Sequence, residues 1–398
     1  MTKEDANNSQ SNCKDTSGTT ITSQPHEVLF FKTVCSLQHS LEENQLKIFT
    51  RLLVGLTFMG SLLLGSVTAS AGTVTLKFVG SHGPTTGWAW PAYQRLGEAT
   101  EKATEGRVKL QFYQPGQLVP FVQHLEAVRA GIIDMAAVVP GYYQNEFALS
   151  SLWNYMYTYY PNAQASAHMW FDLYDQYMAM DFEKLSLDCP GGNGWPVVPY
   201  DVFTIDQPLK TVDDMKGLKL RSNSGAMNKI IEAGGGVPVF MGGGAVPDAL
   251  SKGMLNGTPM SDHWGTAVEI WQYGKPGYWT VTGSFPQGVS AACVSTRKNS
   301  KWMKKVSAKD KEAFGPLLRE FQLDLSRLVD ETSAVFLKKA ADAGVTISEW
   351  PQSEKDRLME GWKPLMKDAM DFAKKEGAPA KWMIDAMHAW LKENKGKY

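Results

Sequence analysis

Arg221 closes a strand-like pattern, Leu218–Ser222, and Asn223 follows it two residues on. A planar guanidinium at the end of a strand can hold a carboxylate through two parallel charge-assisted hydrogen bonds, which a lysine cannot reproduce. An isolated arginine more often pairs with a nearby acid on the surface. Shortly downstream come Asp262, His263 and Trp264, and further aromatic or imidazole side chains sit at the ends of earlier strand patterns: His82, Trp88 and Trp90 after the first, Tyr142 and Tyr143 after the third. Such groups can wall in an apolar or aromatic ligand body while a few polar atoms fix its orientation. Asn193 and Asn223 are candidate hydrogen-bonding neighbours.

The enzyme constellations are missing. The sequence has no Gly-x-Ser-x-Gly elbow, no His-Glu-x-x-His pair and no Gly-Lys-Ser/Thr phosphate loop. The triplets Gly234–Gly236 and Gly242–Gly244 fit turns better than a dinucleotide fingerprint. Adjacent Asp262 and His263 could move a proton, but no nucleophile or metal cluster accompanies them, so catalysis is not expected.

Elements that could position these groups follow in order. Val74–Val79, Val108–Tyr113 and Ile133–Val139 read as strands, with amphipathic helices at Trp88–Thr104 and Phe121–Ala130 between them. Another helical stretch, Asn162–Phe182, leads to the Gly/Pro cluster at 190–196, a candidate hinge. A second block repeats the alternation: strand Leu218–Ser222, helix Ala226–Ala233, strand Val237–Met241, helix Ala245–Ser251. The chain returns through Val289–Ser295, and from Ala308 a long helix is predicted to about Ala343, long enough to brace two lobes. The fold class is α/β, with two lobes and a ligand cleft between them.

At the N-terminal side, Lys47 and Arg51 precede an apolar run from Leu52 to Leu64, and Ala69-Ser70-Ala71 supplies small residues in the pattern that signal peptidase accepts. Residues 47–71 are therefore expected to be a signal peptide cleaved after Ala71, with 1–46 a disordered or mis-called extension. Forty basic and 41 acidic residues leave no basic surplus for nucleic acid. No later apolar run is long enough to span a bilayer. Of four cysteines, Cys189 and Cys293 follow the cleavage site, as a disulfide or as two separate thiols.

Gln114-Pro115-Gly116-Gln117-Leu118, with Leu125 to Met135, resembles the first-lobe signature of the TRAP-type solute-binding proteins, receptors of tripartite ATP-independent periplasmic transporters. Val212-Asp213-Asp214-Met215-Lys216-Gly217-Leu218-Lys219-Leu220-Arg221 is similar to the family segment that ends in its ligand-binding arginine. Gly236–Val239 and Ala249–Gly257 fit the next two segments in order and spacing. The resemblance covers 73–398. It implies a periplasmic binding protein-like fold, a periplasmic location, a small organic acid as ligand with Arg221 on its carboxylate, and membrane permease subunits as partners. Lobe I is expected to comprise 73–195 with about 286–325, and lobe II 196–285 with about 326–398. The family usually has Asp-Gly where this chain has Asn256-Gly257. In the branch that binds 2-oxo acids a Glu-Trp pair helps to hold a cation where this chain has Pro259-Met260. The resemblance thus implies no metal and no cofactor here, and Met260 is counted with the pocket. A receptor serving a signalling partner would share the same cleft chemistry.

Overall fold

Period-two alternation at Val74–Val79 produces strand β1, whose Leu76 and Phe78 are buried, and the amphipathic stretch after it forms helix α1, Trp90–Ala103. The computed structural model describes residues 72–80, 87–155, 162–189, 200–274, 277–285, 293–297, 300 and 304–398, without the side chains of 154, 155, 284, 285, 293–295 and 297. His82, Asn193, the Gly/Pro cluster at 190–196 and everything before Gly72 lie outside the described residues. Gly72–Tyr398 forms one compact unit. The chain continues with β2 (Val108–Tyr113), α2 (His124–Ala130), β3 (Met135–Val138), α3 (Ala163–Leu173), α4 (Ala179–Lys184) and β4 (Leu187–Asp188). Next come β5 (Tyr200–Thr204), β6 (Lys219–Ser222), α5 (Gly225–Ala233), β7 (Val237–Phe240), α6 (Val246–Ser251), β8 (Gly257–Met260), α7 (Asp262–Ala267) and β9 (Tyr278–Phe285). The last elements are β10 (Cys293–Arg297), α8 (Ala308–Asp342), β11 (Thr346–Glu349), α9 (Gln352–Lys375) and α10 (Ala380–Glu393).

These strands make two mixed sheets. The first runs β2-β1-β3-β10-β4, with β1 parallel to β2 and β3 and β10 antiparallel to its neighbours. The second runs β11-β9-β5-β8-β6-β7. In the first sheet, Gly131 closes α2 at φ 73°, a left-handed turn that suits a residue without Cβ, and β3 then begins at Met135. The predicted strand start at Ile133 is two residues early because of this turn, in which the Asp134 carboxylate accepts the Lys77 amide at 2.9 Å. The helix predicted over Asn162–Phe182 is interrupted by a π-helical turn at Tyr174–Met178. Cys189 is disulfide-bonded, which removes the free-thiol alternative for that residue.

The 35-residue helix α8 is about 50 Å long at the usual rise. Its buried residues recur at helical spacing. Phe314, Leu318, Phe321 and Leu325 pack with Leu76, Phe78 and Tyr93 on the first sheet, whereas Phe336 and Ala340 pack with Phe203, Met260 and Trp279 on the second. One helix therefore belongs to both cores. Between the two halves, Asp330 reaches the start of α3, where its carboxylate accepts the Ala163 amide at 2.7 Å and the Gln164 amide at 3.3 Å. One turn on, Ser333 donates to Asp262 at the start of α7 at 2.7 Å. Gly265 lets α7 approach this helix, since a Cβ there would lie 2.6 Å from the Phe336 ring.

The carboxylate of Asp330 satisfies amide groups that the α3 helix leaves without intrahelical partners. Asp330→Ala is expected to lower stability by about 1–2 kcal/mol, the usual cost of losing such a cap. Urea unfolding of the variant beside the parent checks this, and an unchanged midpoint would show that α3 does not depend on the bond.

Candidate functional site

β6 carries the site because it is an inner strand of the second sheet, between β8 and β7, and its end opens toward the first. Parallel pairing sets Arg221 opposite Val239 and Ser222 opposite Phe240. Arg221 is only 3% exposed. Its Nε donates to the Met241 carbonyl at 3.2 Å and its Nη2 to the Tyr142 hydroxyl at 3.3 Å. No acidic side chain forms an ion pair with it among the described residues. A buried guanidinium held by neutral oxygens alone keeps its positive charge uncompensated.

Tyr142 comes from the other sheet, on the single turn Pro140–Tyr142 after β3. Its ring meets Phe121 edge-on at 5.5 Å and Phe240, just past Arg221's strand neighbour, at 5.9 Å. Phe121 in turn lies edge-on to His124 at 4.8 Å. A second contact between elements of the two sheets joins Trp88 to His263, with ring centroids 5.8 Å apart. A third places the Gln144 side chain against Gly225 at the start of α5, where a Cβ would lie 2.7 Å from Oε1. Tyr200, at the start of β5, lies beside both Arg221 and Asn223. Around the guanidinium the arrangement offers phenol hydroxyls, a carboxamide and aromatic edges, suited to binding an anion with a partly apolar body.

The sequence-derived residues divide. Arg221, Tyr142 and Asn223 come together, and Trp88 and His263 meet each other across the sheets. Asp262 is partly buried and engaged with Ser333. Met260 is fully buried and packs with Phe203 and Trp279 in the core of the second sheet. Trp264 packs on the same core and against Gly243, where a Cβ would lie 2.8 Å from its ring. Trp90 lies at the start of α1, edge-on to Phe112 at 6.4 Å, within the first-sheet packing. Sequence reasoning missed Tyr200, Phe121 and Gln144. The alternation of Tyr200, Val202 and Thr204 carried a strand signal that would have placed Tyr200 on the sheet.

Among the described residues, no group of three His, Cys, Asp or Glu side chains converges as a metal site would require. No helix among them is long and apolar enough to cross a membrane. The model of the DctP family, described as bacterial extracellular solute-binding protein, family 7, matches residues 81–373. An uncharacterised protein of Salmonella typhimurium, YiiZ, is 25% identical over 191 residues, covering 45% of this chain and 54% of that protein, so the match spans about half of the relative's length. A TRAP solute-binding protein from an unidentified marine microbe, specific for aromatic acids and crystallised with 3-hydroxybenzoate, superposes with a TM-score of 0.68 at 20% identity, covering 81% of this chain and 99% of that one. A TRAP periplasmic solute-binding protein of Roseobacter denitrificans with bound β-D-glucuronate superposes with a TM-score of 0.67 at 16% identity, covering 79% and 99%.

Burial moves several groups away from their ordinary protonation range. Burial pushes His263 down to about 3. Burial likewise pushes His124 down to about 4, against a hydrogen bond to the Ala137 carbonyl. Asp201, on β5, is pushed up to about 6 by burial, which the amides of Gly283 and Thr282 only partly oppose. Burial also raises the Tyr142 hydroxyl, against the charge of Arg221. A histidine with a depressed folded pKa adds stability above its unfolded value, about 6.5, that is lost as pH falls through the folded one. Asp201 acts oppositely, because its raised pKa favours the fold as pH drops below about 6. His263 is expected to contribute a fall in melting temperature between about pH 6.5 and pH 3, opposed in part by the buried carboxyls of Asp181, Asp201, Asp262 and Asp330, whose raised values favour the fold on acidification. In His263→Gln the fall should be shallower, and parallel melting curves of parent and variant across that range would remove His263 as the titrating group.

Proposed function

The chain belongs to the DctP family, family 7 of the bacterial extracellular solute-binding proteins, and on that premise we propose that it captures a small organic acid between its two sheets, with Arg221 holding the carboxylate. The observation that carries this reading is the buried guanidinium, whose described hydrogen-bond partners are a carbonyl and a phenol. Leaving a buried charge without a counter-ion is costly, and a ligand carboxylate supplies the missing charge in bidentate geometry. The aromatic acid and the uronate bound by the two similar structures are both carboxylates, which favours the same class here. Members of this family bind solutes for transport and are not enzymes.

In this reading, lobe I is 73–195 with about 286–325, and lobe II is 196–285 with about 326–398. Lobe II offers Arg221, and closure brings Tyr142 of lobe I onto the same ligand. Binding favours the closed arrangement only by as much as the ligand prefers it over the open one. The loaded receptor then docks on its membrane permease and releases the acid. Residues 47–71 direct export to the periplasm, and the compact unit beginning at Gly72 fits cleavage after Ala71.

A thermal-shift screen of aliphatic, aromatic and sugar-derived acids tests the reading, because a ligand that binds only the folded state raises the melting temperature. Arg221→Ala is expected to weaken binding of any hit by about 2–5 kcal/mol, and Arg221→Lys to restore it only in part. Retained affinity in Arg221→Ala would remove the arginine from the site. A shift with neutral or cationic compounds alone would overturn the carboxylate reading.

A further inference from the structure

Asn223 is fully buried, and among the described residues neither its Nδ2 nor its Oδ1 makes a hydrogen bond. Buried polar side chains are nearly always paired, so a carboxamide with both ends idle among the described residues is suited to a partner that a ligand supplies. The turn between β6 and α5 does not use this side chain. Ser222 Oγ donates to the Ser224 carbonyl at 3.0 Å, and Ser224 Oγ accepts the Met227 amide at 3.1 Å, so the two serines close the turn and cap the helix. Asn223 stands two residues beyond Arg221, a spacing that returns to the same face of an extended segment. The Tyr200 hydroxyl lies beside both residues without making a hydrogen bond of acceptable length and angle to the carboxamide.

We infer that Asn223 reads a hydroxyl group next to the ligand's carboxylate, so that the preferred substrates are hydroxylated carboxylic acids. This rests on the carboxylate reading of Arg221 and narrows it. The carboxamide has donors at Nδ2 and an acceptor at Oδ1. A carboxylate oxygen or the hydroxyl oxygen can take the Nδ2 hydrogen, but only a donor can satisfy Oδ1. An unsubstituted acid or an oxo acid leaves Oδ1 unpaired, because it brings acceptors alone. An ammonium would satisfy Oδ1 while placing a second positive charge beside Arg221. A hydroxyl satisfies the carboxamide without adding charge. A site built to bond a ligand hydroxyl discriminates strongly against the analogue that lacks it.

Matched acids test this: lactate, propionate and pyruvate as one set, 3-hydroxybenzoate and benzoate as another, titrated calorimetrically into the purified protein, Asn223→Leu and Arg221→Ala. The expected result is that, in at least one set, the hydroxylated acid binds ten-fold or more tightly than its partners, and that Asn223→Leu brings it down to their level. Because the substitution removes an idle buried carboxamide, the unliganded variant should melt no lower than the parent by more than a degree or two. Equal binding within each set by the parent protein, with binding lost in Arg221→Ala, overturns the role of Asn223 and leaves the carboxylate reading standing. Failure of every acid to bind overturns both.

Discussion

The guanidinium of Arg221 is the point on which this architecture turns. It is a charge buried at the end of an inner strand, bonded to a backbone carbonyl of its own sheet and to a phenol presented by the other. Neutral oxygens solvate it only partly, and burial denies it water. The chain must therefore stabilise an unfavourable group by other means, and the packing around β6 does so. Leu220 on one side belongs to a core with Met215, Ile230 and Ile231, and parallel pairing to β7 fixes the strand that carries the charge. Such a group raises the energy of the empty protein and lowers that of a complex with an anion.

The brace that keeps the two sheets in register with this charge is the helix α8. The N-terminal part of its buried face belongs to the first core and the C-terminal part to the second. Between those parts the packing gives way to polar contacts, Asp330 with the start of α3 and Ser333 with Asp262. Polar contacts of this kind depend on position and direction more than dispersion packing does. They fix where α3 and α7 meet the helix, and with them the approach of Trp88 to His263. The acids involved are partly desolvated, and burial raises the pKa of both Asp262 and Asp330.

Sequence patterns revealed the α/β alternation where strands and helices had one clear period. Val74–Val79 and Val108–Tyr113 have the expected bounds, and Ala308–Asp342 ends one residue short of its expected limit. Strands β5, β8, β9 and β11 escaped because they lie in runs whose pairing is non-local: β9 joins β5 and β11, residues far apart in the chain. β8 contains Pro259, which masks a strand signal, although its position opposite Val202 is set by the sheet. At the candidate site, Arg221 and Tyr142 were legible as residues at or just after strand ends, and the structure joins them by a hydrogen bond. Met260 and Trp264 pack on the second core, and by pattern alone an apolar side chain near a strand end serves a core or a cleft equally well. Tyr200 needed the unpredicted strand β5 to be seen.

Tyr142 gives the cleft its directionality. Its oxygen accepts a hydrogen bond from Arg221, and a phenol that accepts one bond can still donate its own hydrogen in a different direction. A carboxylate held by the guanidinium would lie where that hydrogen can reach it. Arg221 then need not release the tyrosine to take the ligand, because the charge-assisted bonds to an anion use other N–H groups of the same fork. The phenol and the arginine come from different sheets, so each anion oxygen bonded by both adds affinity that exists only when the sheets are close. The aromatic edges of Phe121 and Phe240 flank this pair at fixed distances and keep the phenol aimed across the cleft. In the proposed reading, closure is thereby tied to the charge of the ligand at one atom pair, while the nature of the rest of the molecule is left to the groups around it.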